Sequence, residues 1–294
     1  MNIPDKLGAV VRIGMRDSEF GYFRCDIYSL VSLSTFPMEV LNHKTVFITG
    51  ASSGIGAACA EAFAAKKARL LLCARRIKKL VSLAERLKNK YNVEVHVFKL
   101  DVSESGAVQS FMHQLPDEWK IIHILVNNAG KALGLGPSFH AELDEIDGML
   151  DTNVKGLLYI NRAVIPGMIA RNHGHVITIG SVAGKWVYPG ATVYCASKHA
   201  VRAINEGLKM DVHGTHVRVS SVDPGLVETE FSKVRFAGDD DRAAAIYAGI
   251  TPLSAGDVAD AVIYCATRPA HVNINEISLM CVDQSAATMV NRKE

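Results

Sequence analysis

From Thr45 almost to the end of the chain, short apolar β-branched runs alternate with stretches whose apolar residues recur every three to four positions. Short runs bounded by turn residues predict buried strands, and the longer spacing predicts helices that pack on one face. The first run, Thr45–Ile48, stops at a glycine-rich stretch, and an Ala-rich helix is predicted from about Ile55 to Lys67. Arg69–Cys73 predicts a second strand. The segment Ile77–Lys90, with Leu80, Leu83 and Leu87 in phase, predicts a second helix. Further strands are predicted at Val93–Leu100, Ile121–Val126, His175–Gly180, His216–Val222 and near Glu276–Val282. Further helices are predicted over about Glu104–Leu115, Leu143–Asn172, Thr192–His213 and Ala255–Thr267. From Leu226 to about Gly249 the chain is polar and reads as an irregular, mobile connection.

Regular alternation of strand and helix predicts a parallel sheet covered by helices on both faces, an α/β fold. The 294 residues suffice for one large domain or two small ones. The uninterrupted alternation, with no repeat or low-complexity linker, fits a single doubly wound sheet.

Composition narrows the partners. The net charge is +2 with no basic block, which gives no reason to invoke nucleic acid or a membrane surface. No apolar run reaches membrane-spanning length, and the N-terminus lacks the pattern of a secretory signal. Cysteines 25, 59, 73, 195, 265 and 281 are scattered and never form CxxC. They read as reduced thiols of a cytoplasmic protein, not a disulfide frame or zinc site. His173 and His175, two apart beside a strand with no cysteine or carboxylate nearby, read as turn histidines, so no metal is expected. Residues 1–37 hold four basic and four acidic residues, too many acids for a transit peptide. They are expected to be a non-essential extension ahead of a domain spanning 38–294.

Two local patterns carry chemistry. Lys44–Gly56 reads KTVFITGASSGIG: a strand, a turn holding Gly50, Gly54 and Gly56, then a helix start. Glycines let backbone approach a pyrophosphate, and free N–H groups at a helix start favour the anion. Ile55 lies in the same turn, and Ser52 and Ser53 add hydroxyl donors. The second strand ends LLLCA and is followed by Arg75 and Arg76 with no carboxylate. An acidic residue there grips ribose hydroxyls, whereas a guanidinium suits a 2′-phosphate, so NADP is the expected cofactor. The bland alternative is that both arginines are solvated at a helix start.

The second pattern is Ser181-x12-Tyr194-x3-Lys198. Tyr and Lys four apart share a helix face. An ammonium beside a phenol favours the phenolate, so Tyr194 is expected below its usual pKa of about 10. That makes an acid/base pair for moving a hydroxyl proton, with Ser181 holding the substrate oxygen. Tyr188 has no Lys four residues on, and His199 falls on another helix face. Neither is expected to serve.

TGASSGIG, Asn127 to Gly130 (NNAG), Asn153, Ser181, Tyr194, Lys198 and Pro224-Gly225 together resemble the short-chain dehydrogenase/reductase family, over roughly Lys44 to Ala287. That resemblance implies a Rossmann sheet of seven parallel strands in the order 3-2-1-4-5-6-7, with ligand at the carboxyl edge. It implies that Asp101, beside Val102, accepts from the adenine amino group and that Asn127 and Gly130 line the cofactor edge. Asn128, Ala129, Pro224, Gly225 and Val227 join the cofactor set, and Thr229 holds the nicotinamide amide. Lys198 holds the ribose hydroxyls, and Asn153 holds a water in a proton relay. Asp101 as a helix cap and Thr229 as a turn residue remain open.

The strings NNAGKALG, RNHGHVITIGSVAG, DPGLVETEFSKVRF and PAHVNIN resemble a narrower group, the bacterial NADP-dependent 3-hydroxy acid dehydrogenases. Their substrates are L-allo-threonine, L-serine and, in reduction, malonic semialdehyde. A carboxylate substrate needs a cation, and Arg235 lies where the family has its substrate lid, near 226–250. Lys131, Lys185 and Lys233 compete with it, and an ordinary surface ion pair is the alternative for Arg235. The resemblance also implies a homotetramer. A broad carbonyl reductase is the second reading. A non-catalytic NADP sensor, from another class, is disfavoured because Tyr194 and Lys198 are both present.

Overall fold

Strand Thr45–Thr49 (β1) is buried at every position, and its side chains sort by parity. Val46 and Ile48 join the apolar cluster on one sheet face, while Phe47 joins the cluster on the other and stacks on Phe111 at 4.9 Å. Arg69–Ala74 (β2) sorts the same way, Leu70 and Leu72 against Leu71 and Cys73. Period-2 sorting of a wholly apolar run is what a parallel strand between two helix layers requires. The computed structural model describes residues 39–293, so the expected extension 1–37 lies outside the described residues.

The remaining sheet strands are Val95–Lys99 (β3), Ile124–Asn127 (β4), Gly174–Ile179 (β5), Val217–Pro224 (β6) and Glu276–Leu279 (β7). Every pairing is parallel, in the order β3-β2-β1-β4-β5-β6-β7, as the resemblance implied. Helices Gly54–Ala65 (α1), Ile77–Tyr91 (α2) and Ala255–Ala266 (α9) cover one face. Helices Ser105–Gln114 (α3), Gly156–Ala170 (α5) and Thr192–Asp211 (α6) cover the other. The strand order reverses between β1 and β4, which opens a crevice at the carboxyl ends of the strands. Among the described residues no helix is long and apolar enough to cross a membrane.

The expected helix Leu143–Asn172 is present as one continuous helical run to Ala170, but it is not regular throughout. Leu143–Leu150 (α4) passes into a π-helical turn, Asp151–Lys155, before α5 begins. The extra residue turns Asn153 inward, where its side chain accepts from Lys131 N at 2.8 Å and donates to Lys131 O at 2.8 Å. One expectation needs correction: the polar stretch after Gly225 is not irregular. It forms Glu230–Arg235 (α7) and Asp240–Ala245 (α8), each capped by a side chain: Thr229 accepts from Phe231 N and Asp239 from Arg242 N. A short parallel pair, Val227–Glu228 with Leu253–Ser254, closes the base of this excursion.

Candidate active site

The glycine-rich turn is built by contact rather than by flexibility alone. Gly50 has φ +64, and a Cβ there would lie 2.9 Å from Ala129 Cα. A Cβ on Gly56 would lie 2.5 Å from Asn128 Nδ2, so the start of α1 presses against the NNAG segment. Thr49 joins the two: its Oγ1 accepts from Asn128 N and Ala129 N, both at 3.0 Å, and its carbonyl accepts from Asn128 Nδ2 at 2.8 Å. Gly56 is therefore a packing glycine behind the turn, while Gly50, Ser52, Ser53, Gly54 and Ile55 face the crevice. That crevice is a cavity of about 810 Å³, spacious enough for a dinucleotide and a small substrate.

At its outer end the two arginines differ. Arg76 Nη2 donates to Ser53 Oγ at 2.5 Å and to Ser52 Oγ at 3.1 Å, while Nη1 pairs with Glu230 at 2.8 Å. Arg75 is more exposed and lies 3.8 Å from Asp101. Asp101 also accepts from Ser103 N and Ser103 Oγ. Burial works against its ionisation, but those bonds and the Arg75 charge outweigh it and hold the carboxyl below the usual range. Val102, Asn128, Ala129 and Gly130 line the floor. Asn127 does not: it is buried and donates to Asn161 Oδ1 at 2.8 Å, tying β4 to α5, so its expected place at the cofactor edge is corrected.

Toward the centre of the sheet stand Ser181, Tyr194 and Lys198. Ser181 follows β5, and its Oγ accepts from Ala183 N at 3.1 Å. A Cβ on Gly184 would lie 2.8 Å from Lys198 O, so the turn after β5 packs tightly on α6. Lys198 Nζ donates to Ile179 O at 3.0 Å. Burial drives its ammonium down to about 8, with the Asp223 carboxylate opposing. Burial likewise raises the Tyr194 phenol above its ordinary value, and the Ser181 hydrogen bond and Arg235 charge recover only part. The expectation that Lys198 lowers Tyr194 is thus corrected for this arrangement, because desolvation of the phenol outweighs every neighbouring charge. Asn153, 2% exposed, lies behind the cleft wall and also donates to Ser197 Oγ at 3.0 Å.

The far wall comes from Pro224, Gly225, Val227, Thr229 and α7. Arg235 closes α7 and is no surface ion pair. Its Nε donates to Gly134 O at 3.1 Å and its Nη1 to Tyr188 OH at 3.2 Å. The guanidinium sits 5.7 Å from the centroids of both the Tyr188 and Tyr194 rings. Its Nη2 is buried without a hydrogen-bond partner. Two of the competing lysines are engaged elsewhere: Lys185 pairs with Glu276 and Lys233 with Asp240 at 2.8 Å, while Lys131 lines the crevice with its Nζ beside Gly148.

Three residues escaped the sequence reading. Tyr188 was set aside for lack of a paired Lys, yet it orients Arg235. Glu230 carried no motif. Gln284 Oε1 accepts from Leu226 N at 2.9 Å, and a Cβ on Gly225 would collide with it at 2.1 Å. No local signal marks a contact made across so many residues. Among the described residues, no group of three or more His, Cys, Asp or Glu is placed to hold a metal, and the five described cysteines are free and buried.

A profile of short chain dehydrogenases matches residues 44–240. Over 243 residues the chain is 46% identical to the NADP-dependent 3-hydroxy acid dehydrogenase YdfG of Salmonella typhi, spanning 82% of this chain and 96% of that protein. It is 45% identical over 241 residues to sulfoacetaldehyde reductase 2 of Chromohalobacter salexigens, spanning 82% of this chain and 95% of that one. A solved structure, the closed form of serine dehydrogenase complexed with NADP+, superposes with a TM-score of 0.79 at 43% identity, covering 85% of this chain and 100% of that one.

Proposed function

The chain belongs to the short chain dehydrogenase family, and from that premise we propose that it is an NADP-dependent 3-hydroxy acid dehydrogenase acting on L-allo-threonine, L-serine and 3-hydroxypropionate, and reducing malonic semialdehyde in reverse. One observation carries the substrate class: Arg235 leaves a buried, unpartnered Nη2 beside the Tyr194 ring. A guanidinium so held lacks an acceptor, and a carboxylate supplies one with matching geometry.

The cofactor reading fits the chain at two points. Gly50 and Gly54, both at positive φ, turn bare backbone to the crevice, which suits close approach of a pyrophosphate. Arg76, steadied by Ser52 and Ser53, offers a cation and hydroxyls to a 2′-phosphate. Asp101 and Val102 receive the adenine, Lys198 the ribose hydroxyls and Thr229 the nicotinamide amide. Bound NADP supplies the hydride acceptor for oxidation and, as NADPH, the donor for reduction.

The protein's own groups do the rest. Arg235 fixes the substrate carboxylate, which sets the 3-hydroxyl between Ser181 and Tyr194. Ser181 donates to the oxygen on which charge develops. Tyr194 removes the hydroxyl proton in oxidation and returns it in reduction. Its raised pKa keeps the phenol protonated near neutral pH, so the proton needed in the reducing direction is in place. Lys198, with an ammonium near 8, exchanges its proton close to neutral pH and passes it outward past Asn153.

The enzyme works as a cytoplasmic homotetramer in this reading. Exposed Leu158 and Ile169 on α5, Met210 on α6 and Val282 beyond β7 support subunit contacts there. Free buried cysteines suit a reducing compartment. The segment before Met38 is dispensable.

The test is the initial rate of NADP reduction with L-allo-threonine, L-serine, 3-hydroxypropionate and a plain secondary alcohol, for the parent and Arg235→Met. Losing a charge-assisted clamp of about 1.5–3 kcal/mol should raise KM for L-serine by roughly 10- to 100-fold and leave the plain alcohol unaffected. Equal use of the plain alcohol by the parent would move the protein to general carbonyl reduction.

A further inference from the structure

The outer end of the cleft holds a carboxylate where an anion-binding site would be expected to hold none. Glu230 opens α7, and its two oxygens lie on two cations at the start of α2: Arg76 Nη1, in the cleft wall, at 2.8 Å and Lys79 Nζ, just outside it, at 2.7 Å. Arg76 is the same guanidinium that Ser52 and Ser53 hold in place. The contact joins elements about 150 residues apart in sequence and spans the mouth of the crevice. Thr229, just before it, packs its methyl and hydroxyl 3.5 and 3.8 Å from the position a Cβ on Gly54 would take. The start of α7 is therefore latched to the phosphate-binding half of the cleft, and the end of the same short helix carries Arg235.

We infer that Glu230 is a specificity-determining residue: an internal carboxylate that competes with the 2′-phosphate of the cofactor for Arg76 and Lys79. The inference rests on the NADP reading above. A dianionic phosphate and a carboxylate cannot share the same few donors without repulsion, so binding a 2′-phosphorylated nucleotide breaks the Glu230 pairs. A nucleotide without that group leaves them intact. The latch makes the start of α7 responsive to the one feature that separates NADP from NAD. It also makes NADP binding weaker than the two cations alone would allow.

Adenosine 2′,5′-bisphosphate and AMP isolate this phosphate, and calorimetric titration of the full chain measures both. Wild-type protein should prefer the bisphosphate. Glu230→Gln, and equally Glu230→Ala, should bind the bisphosphate roughly 2- to 5-fold more tightly, the range for release of a solvent-exposed ion pair. Their affinity for AMP should not change. Glu228→Gln, an exposed carboxylate two residues earlier, should alter neither value and so controls for net charge. Unchanged or weaker bisphosphate binding in both Glu230 variants would overturn the competition, as would an equal gain from Glu228→Gln. Wild-type protein that binds AMP as tightly as the bisphosphate would instead remove the NADP reading, and the inference with it.

Discussion

Replacing Lys198 by Met should abolish dehydrogenase activity and stabilise the protein. The side chain is only 8% exposed, and burial lowers its pKa from 10.5 to about 8. The sign follows from proton counting. Below about pH 8 the amine is protonated folded and unfolded, and folding bears the full cost of burying the charge. Between about 8 and 10.5 the unfolded chain binds more protons, so stability rises with pH and the cost fades. A fall of about 2.5 in pKa, at about 1.36 kcal/mol for each, sets that cost at about 3 kcal/mol at pH 7. Met keeps most of the volume but forfeits the 3.0 Å bond to Ile179 O, about 1 kcal/mol. The net gain is about 2 kcal/mol, a rise in Tm of about 4–8 °C for a domain of this size. Urea or thermal unfolding of parent and variant at pH 7 and pH 9.5 measures it. The advantage should shrink to near zero at pH 9.5, where the charge cost has fallen below half. A variant less stable than the parent at pH 7, or a difference that ignores pH, would refute the reasoning.

Two further outcomes follow from particular contacts. Arg76→Ala should lower the ratio of kcat/KM for NADP over NAD by about tenfold or more, and Arg75→Ala should lower it less, because Arg76 is the one fixed by Ser52 and Ser53; steady-state rates with both cofactors decide it. Glu39→Gln removes the carboxylate that pairs with buried Arg218 beneath the sheet, and should cost about 3 kcal/mol in urea unfolding while leaving KM values unchanged.

The parts of this protein legible in its sequence are those set by neighbours along the chain. The sheet strands showed as apolar runs because both faces of each are covered. The Gly50 turn showed because close approach demands glycine, and Tyr194 with Lys198 showed because one helical turn separates them. The π-helical turn at Asp151–Lys155 was hidden, since it is fixed by the bonds of Asn153 to Lys131 rather than by local propensity. Helices α7 and α8 were hidden because they are short and polar, although Thr229 and Asp239 are ordinary caps. The elevated Tyr194 pKa was hidden because burial is a property of the fold. Glu230 and Gln284 act across the fold, on Arg76 and Leu226, where no spacing rule reaches.

The hydrogen bonds that gather on Thr49 have a mechanical meaning. One residue at the end of β1 holds two amides and, through its carbonyl, the side chain of the adjacent strand's loop. The glycine-rich turn and the NNAG segment therefore form a fixed jaw whose geometry does not depend on what it grips. The opposite jaw is attached through side chains instead: the Glu230 ion pairs, the Arg235 bonds to Gly134 O and Tyr188 OH, the Gln284 bond to Leu226 N, and the Arg292 contacts to Ile246 O and Ala248 O. Single substitutions can therefore alter the grip of the second jaw while the first keeps its shape.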